Sequence, residues 1–436
     1  MQETEAKPEL LWDLVEESLD EAEFLWQRWD LALSSHEHDL RGLAYWLEDR
    51  LLGSMDGVRV AGDAAVETLL RPALLGDEPG RAAAAAYILG SAGTPIALEA
   101  LIAAFRNAGP DLRPTLRRGI ELVVAPDLVA AIERRTADAS ADVHAAVLEA
   151  SSFRHKDSSS RLLDVVTSES PMLQKAAVTA ARHATRDIGA QCAAYGLRSY
   201  SDAIARTAAI ETGLMFGLPV AWQACLDGAA SGAPGSEPLL LLVALLGTPH
   251  AHERIFRALH KEECQKAALF ALGFVGTTSA ADACIDLMGK GLHVQLAADS
   301  LCAMTGLDLR NSRLLAPEPD EEVDVDHDAS TEDLLPRPDV ARVTAWWQSQ
   351  RPHFHPNARY LGGIPVKLAT LGKYLEHGVM RRRHGVALEL AIRTGGALQV
   401  ETRAFATEQR QQIAAFAPFT TRGIPLSPLA SVFSPI

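Results

Sequence analysis

A chain of 436 residues that is 48% hydrophobic can build a large core, and aromatics at only 6% make that core one of alanine and branched aliphatic side chains. The formal charge of −15 is polarised: from Asp339 onward twelve Lys/Arg face five Asp/Glu, giving +7, so the remaining 29 basic and 51 acidic residues carry −22. So acidic a body repels phosphate backbones, which disfavours broad nucleic-acid binding by it. The acidic opening "MQETEAKPELLWDLVEESLDEAEF" and the short apolar run "PLLLLVALLGTP" speak against a signal peptide and a membrane span, and a cytoplasmic location is the expectation.

The first element in chain order is a long amphipathic pattern, Leu10 to Leu33, carrying Trp12, Trp26 and Trp29. Residues 1–30 hold ten acids against Lys7 and Arg28, so its outer face is solvated, and residues 1–38 read as an N-terminal helical cap. Residues 39–307 then repeat. "RAAAAAYILGSAGTPIALEALIAAF" from Arg81 and "KAALFALGFVGTTSAADACIDLM" from Lys266 share Leu-Gly-x-x-Gly-Thr-x-x-Ala, with Gly90 and Gly93 matching Gly273 and Gly276 at an offset of 183 residues. That offset is a multiple of about 31, a period typical of stacked two-helix units. Stepping by it gives second-helix starts at Asp63, Pro95, Pro126, Asp157, Asp187, Pro219, Pro249 and Thr278, residue types suited to a cap or first helical turn. Six residues past each start lies an apolar column expected to be buried: Leu69, Leu101, Ile132, Leu163, Ala193, Cys225, Ile255 and Cys284. The motif glycines recur with the period and read as turn glycines, suited to a left-handed cap.

After Leu307 the composition changes. Residues 308–338 form an acidic, Pro-flanked linker with nine acids and no Lys or Arg from Glu318 to Asp333, expected to be irregular. Residues 339–436 make a basic module. It shows helical patterns in "DVARVTAWWQSQ", "PVKLATLGKYLEHG" and "VMRRRHGVALELAIR", a short strand at Leu398 to Thr402, a helix at Thr407 to Phe416 and an extended tail.

The repeated "ALGxxGTxxAxxxLI" resembles the short bacterial variety of the HEAT-repeat superfamily, over roughly Asp39 to Leu307. The resemblance implies an all-α fold, a right-handed α-solenoid of about eight two-helix repeats with a helical C-terminal module. "RYLGGIP" at Arg359, "MRRRHGVALELA" at Met380, "LPRPD" at Leu335 and the segment Met304 to Asp308 resemble a bacterial family of HEAT-repeat proteins encoded in type VI secretion effector gene clusters, beside spike-tip and thiolase-like proteins. This implies an adaptor or chaperone role with such a protein as partner; the motifs themselves imply no chemistry.

Candidate chemistry is sparse. Cys192, Cys225, Cys264, Cys284 and Cys302 form no C-x-x-C pair and read as small buried thiols. "SSHEHD" has Leu40 where a zinc helix needs its second histidine, and His250 and His252, two apart, point to different sides of a helix. Asp324, Asp326 and Asp328 copy the start of a calcium loop, but Ala329 and Leu335 stand where its glycine and glutamate belong. No catalytic, cofactor or metal residue is assigned. Arg381, Arg382, Trp346, Trp347, Arg359 and Tyr360 are the candidate partner-binding residues. On a helical wheel Arg383 lies about 40° from Val379 on the apolar face and Arg381 about 200° away. Arg383 is therefore expected to be buried against a carboxylate of the acidic body, with Arg381 outward. The leading function is a non-catalytic protein-binding scaffold; the alternatives are a HEAT-like chromophore lyase and, behind it, a HEAT-like DNA-repair glycosylase.

Overall fold

The fold is taken from a computed structural model that describes residues 10–317, 332 and 334–416. It is all-α: apart from helices, the sheet among the described residues is one hairpin of two-residue strands, Tyr360–Leu361 and Ile364–Pro365. The hairpin forms because Gly362 and Gly363 both take positive φ (60° and 76°), as a two-residue turn of this hand demands. The strand expected at Leu398 to Thr402 is absent and the segment is irregular. The acidic run 318–331, with Asp324, Asp326 and Asp328, and the tail from 417 lie outside the described residues. The linker's described ends are tied together: Leu315 bridges Pro338, and the Ala316 N–H donates to the Arg337 carbonyl at 2.9 Å.

The chain groups into two compact units. The first comprises residues 10–32, Gly42–Ser158 and Ala404–Ala406. In it the helix Trp12–Ala32 packs on Asp49–Arg59 and on Pro79–Ala92; Pro79–Ala92 packs on Leu112–Leu122, and that helix on Ala141–Phe153. The second helix Pro95–Asn107 packs on Pro79–Ala92, and Leu128–Arg135 packs on the helix that follows it, Ala141–Phe153. Such stacking explains the alanine run. Ala82 through Ala86 are all buried because the helix carrying them has neighbours on several sides, and small side chains let those neighbours approach.

The second unit comprises Leu33–Arg41, Ser159–Arg403 and 407–416. Here Pro171–Ala180, Ala203–Met215, Glu237–Leu246, Glu262–Val275 and Val294–Thr305 pack each on the next, with Arg186–Ser199, Pro219–Ser231, Pro249–Ala258 and Thr278–Gly289 between them in sequence. Residues 340–403 group with these helices and form no unit of their own. The apolar "PLLLLVALL" is the buried core of Glu237–Leu246, and no helix among the described residues is long and apolar enough to cross a membrane.

Local signals explain where the second helices begin. Thr94, Thr248 and Thr277 each sit at the N-cap, where the hydroxyl accepts from the backbone N–H three residues on (3.3, 3.2 and 3.3 Å). Six members of the apolar column are buried: Leu101, Ile132, Ala193, Cys225, Ile255 and Cys284. The other two are off by one. Leu69 is only half-buried because Val66–Leu70 is a π-helical turn, which uses one more residue than an α-turn and carries Leu70 into the core instead. Leu163 is exposed, and the short helix Ser159–Val165 buries Leu162.

The motif glycines divide into two kinds. Gly93 and Gly276 are left-handed helix caps, with φ of 63° and 64°. Gly90 and Gly273 lie inside their helices, and the expectation that they are turn glycines is corrected: their missing side chains admit close neighbours. A Cβ on Gly90 would meet Val123 Cγ2 at 2.9 Å, and one on Gly273 would meet Arg382 Nη1 at 2.7 Å. The caps also differ in surroundings. Beside Gly93 there is open space, so Gly93→Ala should cost about 1 kcal/mol, the strain of a left-handed alanine. At Gly276 an added Cβ would collide with the Tyr360 carbonyl oxygen, so Gly276→Ala should cost at least about 2 kcal/mol. Paired urea denaturation curves measure the difference; equal costs would mean that the Tyr360 strand yields without resistance.

Candidate interaction surface

The residues singled out for partner binding are mostly used inside the second unit. Arg359, Arg381 and Arg382 come together around the helix Met380–Arg393, while Trp346 and Trp347 lie apart on Val340–Gln350; Met380, Arg382, Arg383 and Gly385 through Ile392 are all enclosed. Met380–Arg393 packs on Ala203–Met215 and Glu237–Leu246 and on its own neighbour Leu368–His377. Gly385 permits part of this approach, since a Cβ there would lie 2.6 Å from the Phe274 ring.

Two ion clusters lie at the contact. In the first, Arg382 pairs with Asp299 through Nη2, which also donates to Ser300 Oγ at 3.0 Å, while Nη1 donates to the Phe270 carbonyl at 2.7 Å. Its guanidinium lies 4.2 Å from the Phe270 ring centroid, a cation–π contact. Arg381 adds Nε to the same carboxylate at 3.2 Å. In the second, Arg359 grips Glu389 through both terminal nitrogens (2.7 and 2.8 Å) and Arg393 adds Nε at 2.8 Å. Arg359 also donates to the Phe274 carbonyl (2.8 Å), and Arg359 and Arg393 both reach the Leu245 carbonyl (3.3 and 3.1 Å). These carbonyls lie in the last turns of their helices, which have no intrahelical donor for them and favour a cation.

The expectation that Arg381 faces outward is thus corrected, and Arg382 is fully enclosed. A wheel argument assumes one solvated face, and this helix has almost none. Arg383 is fully buried as expected, and its hydrogen bonds include the Leu375 carbonyl (2.7 Å) and Gln409 Oε1 (2.6 Å); Asp299 on Val294–Thr305 is met by Arg382 and Arg381. Trp347 is buried and its Nε1 donates to Asp282 at 2.8 Å; Trp346 is half-buried. Tyr360 is buried, and its hydroxyl accepts from the His355 N–H at 2.8 Å.

Burial alone would push the Glu389 carboxyl up, but Arg359 and then Arg393 outweigh it and hold it below the ordinary glutamate range. A carboxyl depressed in the folded state contributes stability above its unfolded pKa, and that contribution is lost as pH falls through the folded value. Glu389→Gln should therefore cost about 2–3 kcal/mol at neutral pH, and the gap from the parent should narrow below about pH 4. Denaturation curves at both pH values test this; a gap that widens in acid has the wrong sign.

Beside the first cluster a cavity of about 550 Å³ is lined by His36, Asp299, Cys302, Arg310, Tyr374 and His377 among others. Its chemistry is restrained. Burial pushes the Cys302 thiol up, away from thiolate character, and holds His36 below the ordinary histidine range. Asp299 is committed to two arginines. Among the described residues no three His, Cys, Asp or Glu side chains converge as a metal site.

Exposed aromatic surface lies elsewhere, in the first unit. Tyr45 and Trp46 are 66% and 63% exposed, with ring centroids 4.8 Å apart at 86°. They sit on the π-helical turn Ala44–Glu48. The turn is anchored by Glu48, which is buried and accepts from Trp29 Nε1 at 2.9 Å and from the Ala406 N–H at 2.8 Å. On the helix Trp12–Ala32, Phe24 and Leu31 are also exposed, opposite the buried Val15, Leu19, Ala22, Leu25 and Trp29. Tyr45 and Trp46 were not among the residues the sequence pointed to. Their signal was legible: Leu40, Leu43, Leu51, Met55 and Val58 are buried at near-heptad spacing, and that stripe leaves the pair outside. No family model matches the chain, and no match is found among curated proteins.

Proposed function

We propose that the protein is a non-catalytic, protein-binding scaffold. In this reading residues 39–307 are built from about eight HEAT-like two-helix repeats of the α-solenoid kind, preceded by the N-terminal helical cap and followed by a helical C-terminal module. Its role is that of a cytoplasmic adaptor or chaperone for a type VI secretion effector, or for a spike-tip or thiolase-like protein. The observation carrying the reading is the exposed, edge-to-face Tyr45–Trp46 pair, since Trp and Tyr are among the side chains that most often anchor protein interfaces. The docked arginines support it indirectly: they are bound to carboxylates and helix ends, so their clustering has a structural explanation. The test is recovery of the tagged full chain, after cross-linking, from cells of its own source. A stoichiometric protein partner is expected; recovery without one, or turnover of a chromophore or a damaged base by the purified chain, ends the reading.

A further inference from the structure

The scaffold reading leaves the partner's chemistry open, and the first unit narrows it. Resting on that reading, we infer that the outer face formed by Trp12–Ala32, Ala44–Glu48 and Asp49–Arg59 receives a basic amphipathic helix of the partner protein.

The helix Trp12–Ala32 and the helix Asp49–Arg59 run antiparallel. Trp29 bonds to Glu48, Arg50 Nη2 meets Glu21 Oε1 at 2.8 Å, and Ser18 lies against Gly57. Trp46 stands about one turn before Arg50, the residue that meets Glu21. Two antiparallel helices present a groove between them, and the natural occupant of such a groove is a third helix lying along it with its apolar side inward. Exposed apolar anchors on these elements are Tyr45 and Trp46, with Phe24 and Leu31 on the outer side of Trp12–Ala32.

Charge decides the kind of helix. Trp12–Ala32 carries seven acids, Asp13, Glu16, Glu17, Asp20, Glu21, Glu23 and Asp30, against Arg28 alone. The first five of these are exposed, with Asp20 already paired to Arg81 and Glu21 to Arg50, and Asp49 beside the aromatic pair is exposed as well. An acidic rim around aromatic anchors attracts lysine and arginine on the flanks of an incoming helix and repels an acidic one. It repels anionic membrane surfaces and nucleic acid for the same reason.

The π-helical turn gives the surface its form. Its extra residue lets Glu48 point inward to Trp29 while the two preceding aromatics point outward together. π-turns of this kind occur disproportionately at functional sites.

The probe is a labelled peptide of about 18 residues, five helical turns, with leucine on one face and lysine on the other. Its counterpart carries glutamate in place of lysine. Fluorescence anisotropy with the full chain should show binding of the lysine peptide only, weakened by added salt. Tyr45→Ser with Trp46→Ser should weaken it at least about tenfold, as loss of an interface anchor does, and Glu16→Lys with Glu17→Lys should weaken it too. Met172→Ser with Ile204→Ser, exposed apolar residues of the second unit, should leave it unchanged. Should the aromatic double variant fail to fold, judged by circular dichroism, the Glu16/Glu17 variant decides alone. Equal binding of the glutamate peptide, or no change in the folded variants, overturns the inference. So does a concentration-dependent dimer lost in the aromatic variant, which assigns the face to a second copy. The two readings fail separately: a native partner still recovered by the aromatic variant leaves the scaffold standing and removes this surface from it.

Discussion

Replacing Arg382 with alanine is expected to destabilise the second unit by about 3–5 kcal/mol, because one member of a buried ion pair is removed while the other stays. Asp299 would lose the guanidinium that meets it, and the Phe270 carbonyl and Ser300 hydroxyl would each lose a donor. The stacking over Phe270 would go as well. Arg381 remains 3.2 Å from Asp299, which places the expected loss toward the lower end. Arg382→Lys should recover little, since one ammonium cannot reach the three acceptors that the planar fork serves together. Arg382→Met with Asp299→Leu should recover much of the loss, because an apolar pair of similar volume carries no desolvation penalty. Denaturation midpoints of the variants measure this. An Arg382→Ala transition within about 0.5 kcal/mol of the parent, the usual range for surface changes, would show that the ion pair does not hold the helix Met380–Arg393 in place.

Ile132→Asp in the first unit is expected to cost about 4 kcal/mol, since a carboxylate is placed at a position closed to water. Ile132 is 2% exposed. Val124, in the same unit and 74% exposed, is the control, and Val124→Asp should stay within about 0.5 kcal/mol of the parent. A second pair tests where the periodic column and the structure disagree. Leu162→Asp should be as damaging as Ile132→Asp, while the neighbouring Leu163→Asp should be nearly silent. The opposite order would restore the column as the sequence has it and overturn the register of Ser159–Val165.

The helical class and several helix starts were legible in sequence alone, because each rests on interactions within a few residues. Thr94 and Thr277 cap the helices that follow them, and Gly93 and Gly276 end the helices before them, whatever lies further off. Local pattern also gave the C-terminal helices near Val340, Leu368, Met380 and Thr407. What tertiary structure decided was which side of each helix meets a neighbour. A wheel fixes angles between side chains and says nothing of how many faces are covered, so Arg381 and Arg382 turn inward where one solvated face was assumed. Gly90 and Gly273 occupy the same motif position, yet one makes room for Val123 and the other for Arg382, a residue more than a hundred positions away. Leu69 gave way to Leu70 because a π-turn inserts one residue, and no periodic count anticipates where such a turn falls. The exposed Tyr45–Trp46 pair follows from both causes: the apolar stripe places it outside, and the buried bond of Glu48 to Trp29, long-range in sequence, fixes the turn that holds it there.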